Sequence, residues 1–289
     1  MCVLDLNIAG LALRMETDRA LEVQKAFEPF LRASGEPDLV ARYREVEELP
    51  PIPETILHES ECYRVHPDGK GGYVRSFFDP PRGPEPYALA EYDYQNGSIR
   101  MDYLSRGERC LSQMGNSFFH LGFESLLLYR RRFCLHGACV ATDFGGIIFS
   151  GRSGIGKSTQ AELWCSHRNA RQINGDRPIL EQTDIGWLAW GSPYAGSSRC
   201  HVNESCPVTA IVMLRQEKQC SLRRLNRAEA FRAVWSGLTV HSWDAAAVEK
   251  ACDLAMALVE AVPVLELCCT PDEEAVRCLE QALRKECGL

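Results

Sequence analysis

The segment Leu135–Trp164, LHGACVATDFGGIIFSGRSGIGKSTQAELW, constrains the chain more than any other. It contains Gly151-Arg-Ser-Gly-Ile-Gly156-Lys157-Ser158, which fits G-x-x-x-x-G-K-[ST], the phosphate-loop pattern. Its flanks fit as well. Gly145-Gly146 is a break, Ile147–Ser150 reads as a short buried strand, and Thr159–Trp164 reads as the first turns of a helix. Strand, glycine loop and helix, in that order, are what the pattern requires. Gly151, Gly154 and Gly156 let the backbone curl and put no Cβ in the way of a phosphate. Successive N–H groups then point into one concavity at the positive end of the helix. Lys157 is within reach of the β- and γ-phosphates, and the Ser158 hydroxyl suits Mg²⁺. The expected ATP-binding run is therefore Gly151, Arg152, Ser153, Gly154, Ile155, Gly156, Lys157, Ser158 and Thr159. The competing reading is a glycine-rich turn with no ligand and a merely solvated Lys157.

At 289 residues the chain is long enough for one large domain or two modest ones. Its net charge of −7 argues against nucleic acid or an anionic membrane as partner, since both call for a basic patch. Fourteen cysteines are many, but no C-x-x-C pair occurs, so reduced thiols packed as small hydrophobes are expected rather than a metal site. Met1–Gly10 carries Asp5 and lacks a basic start, and no apolar run has membrane-spanning length. The expectation is a cytoplasmic protein.

The pattern before the loop predicts a smaller α+β part over residues 1–113. Met1–Arg14 reads as a strand or hairpin turning at Gly10, and Asp18–Ala33 carries apolar residues at mostly helical spacing. Glu61–Phe78 and Tyr87–Leu104 read as antiparallel strands, with Asn96-Gly97 at a tight hairpin. Residues 114–289 read as the nucleotide-binding domain. In it, Asn116–Tyr129 is an expected helix followed by Arg130-Arg131-Arg132, cations suited to a helix C-terminus, and Phe133–Ala141 an expected strand. Further on, Pro207–Arg215 reads as a buried strand, Asn226–Val234 and Ala245–Ala261 as helices, Val262–Leu267 as a strand and Pro271–Lys285 as an amphipathic helix.

Three residues outside the loop are candidates for chemistry. Asp176 lies nineteen residues after Lys157, past one helix, where the next strand of an α/β unit delivers a side chain toward the phosphates. A carboxylate there holds Mg²⁺ or takes the proton of an attacking hydroxyl; the bland alternative is a turn aspartate beside Gly175 and Pro178. His136 lies twenty-one residues before Lys157, and a lone histidine is usually structural. Arg199, in the glycine–serine loop Gly191–Ser198 and its continuation, is a candidate clamp on transferring phosphate charge or else a solvated loop arginine.

His136-Gly137, Ser150–Ser158 and Gly175-Asp176-Arg177 resemble, in order and spacing, the HPr kinase/phosphorylase group of the phosphoenolpyruvate-carboxykinase-like kinases. That family reads H-G, then G-D-S-G-I-G-K-S, then A-D-D-R. The resemblance implies a phosphoenolpyruvate-carboxykinase-like P-loop kinase core with a mixed sheet. It also implies transfer of the ATP γ-phosphoryl group to a serine hydroxyl, with Ser158 and Asp176 on Mg²⁺ and His136 as the active-site histidine. The family's first aspartate is Gly175 here, its loop aspartate is Arg152, and its glycine- and isoleucine-rich signature loop is replaced by Gly191–Pro207. The latter stretch is similar to a divergent branch that includes kinases of peptide maturation and, with less similarity, free-serine kinases.

Two classes of function follow. The first is an ATP- and Mg²⁺-dependent kinase acting on Ser or Thr of a peptide or small protein, or on a small hydroxyl compound, with Asp176 or His136 assisting the hydroxyl. HPr-type kinases assemble as oligomers, so a homo-oligomer is part of this expectation. The second is a nucleotide-binding module without catalysis that orders a peptide-binding surface, which Gly175 motivates. A carboxykinase acting on oxaloacetate fits poorly, because the chain is short and shows no histidine–lysine–aspartate metal cluster.

Overall fold

The computed structural model describes residues 1–286. The chain divides into two compact units, Met1–Leu126 and Leu127–Leu289. The division falls at 126/127 rather than 113/114, because residues 114–122 are bound into the first unit. Tyr43 Oη donates to Ser117 O (2.8 Å) and Ser117 Oγ to Leu111 O (2.6 Å).

The first unit is built on a mixed sheet of β1 (Cys2–Ile8), β2 (Leu11–Thr17), β3 (Leu39–Glu45), β4 (His58–Glu59), β5 (Tyr63–Pro67), β6 (Tyr73–Phe78), β7 (Pro86–Asp93) and β8 (Ser98–Tyr103). Their order is β1-β2-β3-β8-β7-β6-β5-β4. β3 is parallel to both neighbours, and the other pairs are antiparallel. Short helices α1 (Glu108–Leu111), α2 (Met114–His120) and α3 (Phe123–Tyr129) follow.

Two expected helices differ. Asp18–Ala33 is irregular apart from a single 3-10 turn at Glu28–Phe30. Pro29 has no N–H to continue a helix, and the backbone there pairs elsewhere: Glu22 N–H donates to Ser112 O (2.8 Å) and Met114 N–H to Glu22 O (3.0 Å). Asn116–Tyr129 is two helices, broken at Gly122, whose φ of 58° is left-handed. Of the three arginines that follow, Arg130 Nη1 donates to Tyr129 O at the end of α3 (3.4 Å), and the other two work elsewhere. Arg131 pairs with Asp184 (3.2 Å) and Arg132 with Glu181, locking a strand edge.

The second unit contains β9 (Arg132–Cys134), β10 (Gly137–Thr142), β11 (Gly145–Ser150), α4 (Lys157–Arg168), β12 (Arg171–Asn174), β13 (Ile179–Thr183), β14 (Gly186–Trp190), β15 (Ser205–Gln216), β16 (Ser221–Arg224), α5 (Arg227–Gly237), α6 (Ala245–Ala261), β17 (Val264–Cys269) and α7 (Glu273–Glu286). The long β15 joins an antiparallel piece of sheet, β15-β14-β13-β9, to a mixed one. Its start pairs with β14, and its later part lies parallel to β11 and β17. Alternation sets the layers. Ile147 and Phe149 face α4 and α7 with Trp164, Val276 and Leu279, whereas Ile148 faces α5 and α6 with Val234, Leu254 and Leu258. Helices thus cover both faces of the sheet.

The strand directions decide where the chemistry falls. β10 is antiparallel to β11 with Gly137 opposite Ser150, and antiparallel to β12 with Cys139 opposite Asn174. The start of β10 and the ends of β11 and β12 therefore share one edge. His136, Gly151 and Gly175-Asp176 follow from that register onto the same edge. The expected strand Phe133–Ala141 is interrupted at Leu135-His136, and the interruption frees His136 from the ladder.

Candidate active site

The phosphate-loop sequence forms the turn between β11 and α4. Gly151, Gly154 and Gly156 take φ of 139°, 77° and 109°, values that favour glycine. A Cβ at Gly154 or Gly156 would meet no protein atom within 4 Å, so the loop opens onto free space. The N-terminus of α4 has no side-chain cap. Its companions differ: Asn226 caps α5, Asp244 caps α6, and Asp272 Oδ1 accepts from Glu274 and Ala275 N–H at α7. The amides of α4 are thus left for an external anion. Lys157 folds back over the loop and donates to Gly151 O and Arg152 O, both at 3.2 Å. Burial pulls its pKa down, and Asp176 opposes that shift.

Asp176 and His136 meet beside this loop. His136 Nδ1 lies 3.3 Å from Asp176 Oδ1, and both side chains are about one-third exposed (36% and 31%). The backbone fixes them: His136 N–H donates to Gly237 O (2.7 Å), and Gly137 N–H donates to Asp176 O (2.8 Å). Ser150 Oγ donates to His136 O (2.7 Å), tying the pair to the end of the loop strand. Burial holds the His136 imidazole below its ordinary pKa, with Lys157 and Arg177 acting in the same direction and Asp176 against. The imidazole is therefore neutral at neutral pH. When its Nδ1–H faces Asp176, Nε2 keeps a lone pair for a proton.

Two residues that sequence reasoning overlooked hold Asp176 in place. Asn174 is fully buried, and its Oδ1 accepts from Asp176 N–H (2.9 Å) and Arg177 N–H (2.7 Å). Its Nδ2 reaches Ser192 Oγ (3.2 Å), which in turn donates to Arg177 O (2.7 Å). The Asn-Gly pair before Asp176 was the available signal, since asparagine side chains bind their own backbone in turns. Arg177 itself lies 3.7 Å from Asp176 Oδ2. By contrast, Arg199 is exposed and has no ion pair or hydrogen bond to Asp176 among the described residues.

Gly175 is a packing position. A Cβ there would sit 1.9 Å from Ser198 Oγ and 3.0 Å from Ala195 O. The neighbouring turn leans on Asp176 too: a Cβ at Gly196 (φ 56°) would lie 2.9 Å from the Asp176 Cβ. The turn at Gly196–Ser198 occupies the space that a second carboxylate would need.

The residue types at the loop and at Asp176 are oxygen donors, the kind a hard cation such as Mg²⁺ takes. Ser158 offers a hydroxyl, Asp176 a carboxylate, and the loop is open for phosphate oxygens. Among the described residues no group of three or more His, Cys, Asp or Glu is placed to hold a metal on protein ligands alone, and the described cysteines are free thiols. Among the described residues no helix is long and apolar enough to cross a membrane.

No protein-family model matches this chain, and no curated protein matches it. Among solved structures, the HPr(Ser) kinase/phosphatase from Coxiella burnetii is similar at 11% sequence identity and a TM-score of 0.30, over 53% of this chain and 95% of that one.

Proposed function

We propose that the second unit is an ATP- and Mg²⁺-dependent kinase that transfers the γ-phosphoryl group to a hydroxyl, Ser or Thr of a peptide or small protein being the favoured acceptor. One observation carries the reading: a histidine paired with a carboxylate at 3.3 Å, on the edge that also carries an uncapped glycine loop and Lys157. Loop amides and Lys157 hold the phosphates. His136 Nε2 or the Asp176 carboxylate takes the hydroxyl proton as the acceptor oxygen bonds to the γ-phosphorus and the bond to the β-phosphate oxygen breaks. ADP leaves with that oxygen. Mg²⁺ on Ser158 and Asp176 would neutralise charge on the phosphate oxygens. Arg177, beside Asp176, would be a cation available to the equatorial oxygens.

Gly175, filled by Ser198, leaves a single aspartate and keeps the non-catalytic module as the second reading. Radiolabelled γ-phosphate separates them. Wild type is expected to transfer it to a serine peptide, or to release it slowly to water, and Lys157→Ala to do neither. Binding of ATP without any phosphate movement in wild type rejects the kinase in favour of the module.

A further inference from the structure

A groove of about 630 Å³ opens beside the loop, on the α5 side of the sheet. It lies within the size range of small-ligand sites. Gly151 and Ile155 of the loop form one wall, Met213 and Arg215 of β15 the floor, and Arg232 and Ala233 of α5 the other wall. Arg152 lies at the junction with the loop.

Strand order gives this groove a direction. At the level of the loop the strands run β12-β10-β11-β15-β17. His136 and Asp176 belong to the β10 and β12 side of the loop strand, and the groove belongs to the β15 side. Lys157 shares its electrostatic environment with both His136 and Asp176. The reacting end of a phosphate chain therefore faces β10 and β12, and its other end leaves toward β15.

We propose that the groove between α5 and β15 holds the nucleoside of the triphosphate whose phosphates lie in the loop. The inference rests on the phosphate-loop reading above and adds the residues that grip base and ribose. The chemistry suits that occupant. The half-buried Met213, on the α5 side of the sheet, gives apolar contact to a flat base, and the planar guanidinium of Arg232 stacks on one. Arg223, also in the groove, is already held by Glu229 (3.0 Å) and Glu266 (2.7 Å). A peptide acceptor fits less well, because its hydroxyl would have to cross the loop strand to reach His136.

Calorimetry with ATP and with inorganic tripolyphosphate, both with Mg²⁺, tests this on the full chain. Ala233→Trp fills the groove, and Arg232→Ala, on an exposed position, removes the stacking cation without filling anything. Ala233→Trp is expected to weaken ATP about tenfold or more and tripolyphosphate less than about twofold. Arg232→Ala is expected to weaken ATP about threefold, again sparing tripolyphosphate. Thermal unfolding checks that each variant is folded, and Arg232→Ala decides alone if the tryptophan variant is not. Equal weakening of both ligands, or of neither, overturns the assignment. So does a variant that keeps ATP affinity but loses phosphoryl transfer, since the groove would then belong to the acceptor. Failure of wild type to bind either ligand rejects the phosphate-loop reading itself, and this inference with it.

Discussion

His120 in the first unit and His136 in the second stand in opposite environments. His120 is 2% exposed, and both ring nitrogens are used: Nδ1 donates to Asn116 O (2.6 Å), and Nε2 accepts from Tyr87 Oη (2.6 Å). Around it, the buried Arg75 donates to Tyr92 Oη (2.7 Å) and His120 O (2.9 Å) and packs against the rings of Tyr63, Phe77 and Tyr92. Burial pushes the His120 pKa down to about 3. His136 is one-third exposed, has one nitrogen on Asp176, and lies at the open edge of the sheet. The first arrangement is complete and holds structure. The second pairs one ring nitrogen with a carboxylate and leaves the side chain one-third exposed, the arrangement that the proposed proton transfer needs. Chemistry is read from what a polar group leaves unused, not from the presence of a histidine near an arginine.

Asp176→Asn should have the largest effect, lowering turnover about 10²–10⁴-fold while the fold survives, as steady-state kinetics and thermal melts would report. His136→Gln should cost about a hundredfold and change the pH profile. In wild type, activity should rise with pH through the acid range and level off before neutrality, because the folded His136 pKa lies below its ordinary value; that limb should vanish in the variant.

The contrasting prediction concerns His120. Its folded pKa of about 3 lies below the ordinary 6.5, so between those values the unfolded chain binds more protons. The first unit should therefore lose stability as pH falls from about 6.5 toward 3, by an amount on the order of 4 kcal/mol that His120→Phe should reduce in acid denaturation curves. Gly175→Asp should give no gain in turnover and destabilise by about 1–3 kcal/mol, since its side chain enters the space of Ser198. A clear rise in activity would show the site to be a decayed two-aspartate centre. Smallest is Asn174→Ala, for which about a tenfold drop in turnover is expected with a modest fall in melting temperature, as the turn holding Asp176 loosens.

Legibility in the sequence followed the range of the interactions. The strand, loop and helix around Gly151–Ser158 were readable because each signal is local, and Ala245–Ala261 forms the helix its apolar spacing predicted. Asp18–Ala33 has helical spacing, but Pro29 and long-range pairing to residues 112–114 override it. Within the site, the meeting of His136 with Asp176 was foreshadowed only by the resemblance. It depends on the register of β10 against β11 and β12, which no local pattern states. Ser192, Gly196 and Ser198 could not be singled out at all, because their roles arise from a loop folding back on Asp176. The division at Leu126/Leu127 was obscured for the same reason: residues 114–122 look like part of the following helix until their partners in the first unit are known.

The most direct measurement is the initial rate of phosphate release or transfer from γ-labelled ATP with Mg²⁺, in wild type and Lys157→Ala side by side at neutral pH. Measurable turnover is expected in wild type and loss to background in the variant. Absence of turnover in a wild-type protein that binds ATP, or equal rates in the two proteins, would contradict the kinase reading.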